Sequence, residues 1–373
     1  MTAAAPGAPA SGAPARAPGG PGGTGRRPAV PLPVLLAALA LLLAGSAVVA
    51  VGVGPVGIGP GAVLRVLADR LSGAGPPGPG AGYADYIVWE LRAPRVVQGV
   101  FVGAGLAVAG IVVQAVVRNP VADPHVLGLS SGAAVGAVAV TTTVGSALLG
   151  AVTLPAAAFA GALAAGIGVY AVSRTAGTLS RTRLILAGIA VGQLLGGLTS
   201  FLVLRAESAD AQQQVLFWLL GSLAGARWDL ALTCAAAVTA LTAAVLASAG
   251  RLNLLVLGDE AASALGLDPG RARAVAFTAT ALLTGTVVAV SGTIGFVGLV
   301  VPHLARLLVG AEHRRAVPVA ALLGALLLVW ADTAARTVLA PTELPIGILT
   351  AAVGVPFFVA ALRRSNLVGG DAP

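Results

Sequence analysis

The chain has 373 residues, of which 57% are hydrophobic and only 10% charged, with a mean hydropathy of +0.95. A soluble domain carries roughly 25% charged residues, so too little polar side chain exists here to cover a water-facing surface, and a soluble globular protein is excluded. The net charge of +8 comes without any basic run interleaved with aromatic residues, which argues against nucleic acid as a partner.

Residues 1–29 hold thirteen Gly or Pro and read as a disordered cytoplasmic tail. The apolar run that follows, Val30 to Val53, is 24 residues long. A secretory h-region has about 7–15, so this is a membrane helix and not a signal peptide. Arg26-Arg27 is followed by Pro28-Ala29 and too long an apolar stretch for a twin-arginine signal. Membrane helices need about 20 apolar residues. Ten segments meet that test: 31–53, 96–117, 126–145, 151–172, 184–204, 230–249, 274–291, 295–309, 317–336 and 345–362. The eighth is short and Gly-rich, which keeps a nine-span count open.

With both termini in the cytoplasm and ten spans, fifteen Arg fall inside and seven outside, as the positive-inside rule requires. The expected fold is an all-α polytopic membrane bundle. One transmembrane domain covers 30–365, and a short C-terminal tail covers 366–373. Three connections are long. Two are external, 54–95 and 205–229; the third, 250–273, is cytoplasmic. None holds a soluble domain, so any catalytic domain must sit on another chain.

The side-chain inventory excludes most chemistry. All 22 basic residues are Arg, which removes a Walker A lysine and any Schiff-base lysine. A single cysteine, Cys234, excludes internal disulfides and Cys-x-x-Cys sites. His125, His303 and His313 lack metal-ligand spacing, so no metal, no cofactor and no catalytic residue is expected. An ion-driven carrier usually places a carboxylate near the bilayer centre. None is found, which argues against the alternative of a stand-alone secondary transporter. Asp332 and Arg336 sit four apart at the outer end of span nine, the spacing of a helical ion pair.

Other features point to packing and docking. Gly99/Gly103, Gly132/Gly136 and Gly188/Gly192/Gly196 have the spacing that lets membrane helices approach closely. Ser291 to Gly298 carries three Gly at spacing three and is expected to break the helix, as backbone is allowed to do only inside protein or along a cavity. Gln114 and Gln193 are lone amides within spans, suited to helix–helix hydrogen bonds. Arg92, Arg95 and Arg336 lie near helix ends on the outside and form a candidate cationic face for carboxylates. The cytoplasmic stretch 258–266 reads as a short amphipathic helix with Asp259-Glu260 in its first turn, a candidate docking knob.

Several stretches in order then resemble one family. They are Leu91-Arg92-Ala93-Pro94-Arg95, Gln114 with Arg118-Asn119-Pro120-Val121-Ala122-Asp123-Pro124, Leu127-Gly128 with Gly132-Ala133, and Leu186-Ala187-Gly188. Later come Gly258 to Gly266, Gly295 to His303, Ala331 to Arg336 and Glu343-Leu344-Pro345-Ile346-Gly347. Across about residues 35–365 this resembles the FecCD permeases of type II ABC importers, which take up ferric siderophores, haem or vitamin B12.

The resemblance implies a ten-helix subunit in the cell membrane, paired as a homodimer or close heterodimer around a central pathway. Two ABC ATPase subunits would dock inside and an extracytoplasmic binding lipoprotein outside. It further implies that Arg92, Arg95 and Arg336 pair with Glu residues of the binding protein. Gly258, Asp259, Glu260, Ala261, Ala262, Leu265 and Gly266 would form the ATPase coupling helix. Arg181 and Thr182 would belong to the inner gate, although Arg181 stands where the family often has a small hydroxyl residue. The cargo implied is an iron-siderophore, with B12 or haem as alternatives.

Overall fold

Backbone N–H and C=O groups in lipid have no water to bond, so a chain of this composition satisfies them within helices. The computed structural model describes residues 2, 31–73, 82–143, 153–175, 178–206 and 209–364. Apart from residue 2, the tails expected at 1–29 and 366–373 lie outside the described residues.

The helices run α1 (Leu32–Gly52), α2 (Pro60–Leu71), α3 (Tyr83–Tyr86), α4 (Ala93–Val117), α5 (Leu129–Thr143), α6 (Thr153–Ser173), α7 (Arg181–Leu204) and α8 (Ala209–Leu220). They continue as α9 (Trp228–Ala247), α10 (Ala249–Leu257), α11 (Asp259–Ala264), α12 (Pro269–Ser291), α13 (Val297–Val309), α14 (His313–Thr337) and α15 (Ile346–Arg364). A π-helical turn, Ile87–Arg92, joins α3 to α4, so Tyr83–Val117 is one helical run of 35 residues.

Seven runs among the described residues are long and apolar enough to cross a membrane: α1, the α3–α4 run, α6, α7, α9, α12 and α14. Shorter apolar helices at Leu129–Thr142, Val297–Val309 and Ile346–Ala360 fill the places of the other three expected segments. At 1.5 Å per residue α13 reaches only about 20 Å against a hydrocarbon core of about 30 Å. Its shortness is what left the count open in the sequence.

The structure departs from the sequence reading in the connections. The 54–95 stretch, expected as a Gly/Pro-rich loop, contains α2, α3 and the π turn, and 205–229 contains α8. The all-α expectation holds except for a two-stranded antiparallel ribbon, β1 (Arg174–Thr175) with β2 (Thr178–Leu179), in the register Arg174 to Leu179.

Proline shapes the helices in two ways. Pro94 lies inside the Tyr83–Val117 run, directly after the π-helical turn, where its missing N–H interrupts the hydrogen-bond ladder. Asp268 caps α12 by accepting from the Arg271 backbone N–H at 3.0 Å, with Pro269 next in line. In the middle of the bundle α4 packs on α9, α12, α13 and α14. Its most apolar stretch is 83% buried, whereas those of α1, α7 and α9 are each 22% buried. Close approach, not the hydrophobic effect, drives such packing in lipid. A Cβ placed on Gly103 would lie 2.2 Å from the Gly324 carbonyl oxygen, so α4 and α14 meet backbone to backbone.

Candidate functional site

Polar side chains gather at the two ends of α4, buried in one cluster and on the surface in the other. The helix has 25 residues, which separates them by about 37 Å.

At the first end three guanidiniums hold helix termini. The last carbonyls of a helix have no partner within it, and those of α1 are met by arginine. Arg92 Nη1 donates to the carbonyls of Val51 (3.0 Å) and Gly52 (2.9 Å), and its Nη2 donates to Val56 (2.6 Å). Arg336 Nη2 donates to the Ala50 carbonyl at 3.1 Å, and its Nη1 to Val53 at 3.3 Å. Positive charge there also suits the negative end of the helix dipole. Arg95 from α4 reaches across to α14: its Nε donates to Asp332 Oδ1 at 2.9 Å and its Nη1 to Glu343 Oε1 at 3.0 Å. Asp332 also faces Arg336 Nε at 3.1 Å, which is the i,i+4 pair read from the sequence.

These contacts correct one expectation. Arg92, Arg95 and Arg336 are only 6%, 7% and 3% exposed, so they do not form an exposed cationic face. They are engaged inside the chain, Arg92 by carbonyls alone and Arg95 and Arg336 by a shared carboxylate, because the ends of α1, α4 and α14 converge there. Beside them Trp89 and Trp228 lie 4.7 Å apart, and Trp228 Nε1 donates to the Trp89 carbonyl at 2.9 Å. Arg70 sits 5.8 Å over the Trp89 ring and pairs with Asp85, whose hydrogen bond holds the guanidinium pKa above its usual value. Exposed Tyr83 and Tyr86 complete an aromatic group of the kind found at membrane–water boundaries.

At the opposite end lies the 258–266 stretch. Gly258 has φ +114°, a conformation that L side chains rarely adopt, and it turns the chain sharply between α10 and α11. The helix expected there is present as α11, ended by Gly266 at φ +82°. Ala262 is buried, while Asp259, Glu260, Ala261 and Leu265 are exposed, as is Leu257 just before. The result is a small projecting knob with an apolar and acidic surface. Asp259 is tied back by Arg273 of α12, whose Nη2 donates to Asp259 Oδ1 at 2.7 Å. The Nη1 of the same arginine donates to the carbonyl of Leu179, two residues before α7. Arg181 and Thr182 open α7 at this end, Arg181 half-buried and Thr182 exposed. Neither Arg273 nor its bond to the ribbon was singled out from the sequence; an arginine at the start of a span gives no sign that it is buried.

Between the two ends the bundle contains the expected break. Gly292 (φ +66°) ends α12, and Phe296 (φ +68°) precedes α13. The carbonyls around the break are not orphaned. Gln98 Nε2 donates to Val290 O at 2.9 Å, His125 Nε2 lies 2.9 Å from Ile294 O, and Gln114 Nε2 donates to Gly298 O at 3.2 Å. Gln114 therefore makes the helix–helix bond foreseen for it, whereas Gln193 is exposed on α7. That face of α7, with Leu186, Ile189, Leu194 and Leu198, is not covered by the chain itself.

Among the described residues no group of three His, Cys, Asp or Glu could hold a metal ion. What the described residues do present is a helix bundle with a buried arginine cluster at one end and a projecting knob at the other.

Comparison with known proteins agrees. The model of the FecCD transport family matches residues 35–364. The chain is 45% identical over 280 residues to the cobalamin import system permease protein BtuC of Halobacterium salinarum, covering 75% of this chain and 74% of that one. It is 40% identical over 280 residues to the Fe(3+) dicitrate transport system permease protein FecD of Escherichia coli, covering 75% and 86%. Its fold matches a solved structure described as an inward-facing metal-chelate type ABC transporter. That match has a TM-score of 0.75 at 30% identity and covers 90% of this chain and all of the other.

Proposed function

The chain belongs to the FecCD transport family, and from that premise we propose that it carries a ferric siderophore inward across the cytoplasmic membrane by alternating access. Membership makes it the multi-pass permease component of an ABC importer and not an enzyme, with ATP hydrolysed on a separate subunit. It also implies ATPase and substrate-binding partners.

The observation that carries the cargo reading is a shared chemistry. The relatives are named for cobalamin and ferric dicitrate, and the structural neighbour for a metal chelate. Each is a metal ion wrapped in an organic ligand, and a ferric siderophore falls in that class. Vitamin B12 is the second reading, supported by the 45% identity to a cobalamin permease.

We place the ATPase contact on α11 and its flanks, Gly258 to Gly266, which puts that end and both chain termini in the cytoplasm. Binding-protein docking belongs at the other end. There Arg92, Arg95 and Arg336 act by fixing the ends of α1, α4 and α14 that the partner meets. A second permease subunit covers the exposed face of α7, with Arg181 and Thr182 at the inner mouth of the shared pathway. Docking and nucleotide state then shift the balance of two conformations through their differential affinity for each.

The decisive experiment reconstitutes the permease with its ATPase and binding protein in liposomes. Uptake of radiolabelled ferric siderophore, cobalamin and haem is compared with and without ATP. ATP-dependent iron uptake is expected. Cobalamin or haem uptake alone would reassign the cargo, and uphill uptake by the isolated chain on an ion gradient would overturn the importer reading.

A further inference from the structure

Beside the knob, a cavity of about 330 Å3 opens between α4, α10, α13 and the start of α14. Its walls include Ile111, Gln114, Arg118, Val256, Arg306 and His313, and no carboxylate lines it. Elsewhere in the chain buried arginines have partners, carbonyls for Arg92, Asp332 for Arg95 and Arg336, and Asp259 for Arg273, although Nε of Arg273 and of Arg336 makes no hydrogen bond. Arg118 and Arg306 are in no ion pair among the described residues. Two guanidiniums without a counter-ion on one cavity call for an anion.

Neither Gln114 nor His313 competes for that anion. Gln114 is 5% exposed, and its Nε2 is spent on the carbonyls of Ala122 (3.1 Å) and Gly298 (3.2 Å). His313 Nδ1 lies 2.6 Å from Asn253 Oδ1, an atom that only accepts, so Nδ1 carries the proton. The complementary ligand offers anionic oxygens to the arginines. The surroundings are apolar: Val256 and Leu257 on α10, and Leu307 and Leu308 directly after Arg306, are all exposed. Basic pockets between membrane helices are suited to lipid headgroups.

We propose that this cavity binds the headgroup of an anionic phospholipid of the phosphatidylglycerol kind, with Arg118 and Arg306 on the phosphodiester. The site adjoins the knob: a Cβ on Gly258 would lie 3.3 Å from the Arg118 guanidinium. A bound lipid would therefore steady the turn from which α11 projects.

The test uses the full chain, exchanged into detergent and freed of native lipid. Retention of phosphatidylglycerol, phosphatidylcholine and inorganic phosphate is followed by native mass spectrometry and by thermal unfolding. Phosphatidylglycerol is expected to bind and stabilise. Phosphatidylcholine, which has the phosphodiester but no net charge, is expected not to. Arg306→Gln and Arg118→Gln should each weaken phosphatidylglycerol binding about fivefold, and Arg306→Lys should recover most of the loss. Arg118 is exposed, so its variant keeps the test open if Arg306→Gln fails to fold.

Equal binding of the two lipids, or wild-type affinity in both glutamine variants, overturns the proposal. Inorganic phosphate that stabilises equally and displaces the lipid would assign the cavity to a soluble phosphate instead. Loss of ATPase co-purification in Arg306→Gln, with lipid binding unchanged, would assign it to a protein carboxylate.

Discussion

Arg95 and Asp332 are 237 positions apart in the chain and meet in the bundle through two bonds, from Nε and Nη2, each of 2.9 Å. Asp332 thereby becomes the shared counter-ion of Arg95 and Arg336, and it ties α4 to α14 at the end where α1 stops. Glu343 touches the same Arg95, but it is 39% exposed where Asp332 is 2%.

That difference ranks two variants. Asp332→Ala removes the buried counter-ion that two guanidiniums share and should cost about 3–5 kcal/mol. Glu343→Ala removes a partly hydrated partner and should cost under about 1 kcal/mol. Thermal unfolding in detergent, followed by tryptophan fluorescence, measures both. Equal losses would mean that the buried cluster does not hold this end together.

The bond from Asp259 to Arg273 offers a route from the knob to α7. Removing it by Asp259→Ala leaves Arg273 its carbonyl at Leu179, so the fold should survive. Transport per ATP hydrolysed should fall about tenfold, within the 5–150-fold range of ordinary coupling energies. Reconstituted uptake and ATPase assays on one preparation give the ratio. An unchanged ratio would remove this bond from the mechanism.

Close packing of α4 on α14 depends on the absence of a side chain at Gly103. Gly103→Ala should destabilise the bundle by about 1–3 kcal/mol through overpacking against the Gly324 backbone. Gly45→Ala on α1, where a Cβ meets nothing within 4 Å, serves as the comparison and should leave the unfolding temperature unchanged.

Orientation is open to labelling. In a Cys234→Ala background, Ser263→Cys on exposed α11 should react with a membrane-impermeant maleimide only when the inner face is accessible. Modification in intact cells would invert the proposed topology.

Much of this architecture was legible from hydropathy, because a membrane helix announces itself through some 20 consecutive residues. The 31–53 segment became α1, and 274–291 became the body of α12. The knob was legible for another reason: Gly258 and Gly266 bracket an acidic first turn. So was the pairing of Asp332 with Arg336, a consequence of helical spacing alone. Burial of Arg92, Arg95 and Arg336 was not. Residue type and nearness to a span end suggest exposure, and only the convergence of helices from three parts of the chain reveals the carbonyls they serve. The roles of Arg273 and Leu179 are hidden for the same reason. Helices α2 and α8, with 12 residues each, are too short to stand out from a Gly/Pro-rich or polar connection.

The uneven burial of the helices has a mechanical consequence. Gln98 and Gln114, both on α4, fasten the interrupted backbone between α12 and α13, and Gly103 locks α4 against α14. Turning or sliding α4 would tear all of these at once. Helix α7 is moored on its inner side alone, with Gly188 against the backbone of Val126 and Leu127, and its outer face stays bare. Any rearrangement that spares the ties of α4 must therefore leave that helix as the fixed axle and be taken up by the elements around it.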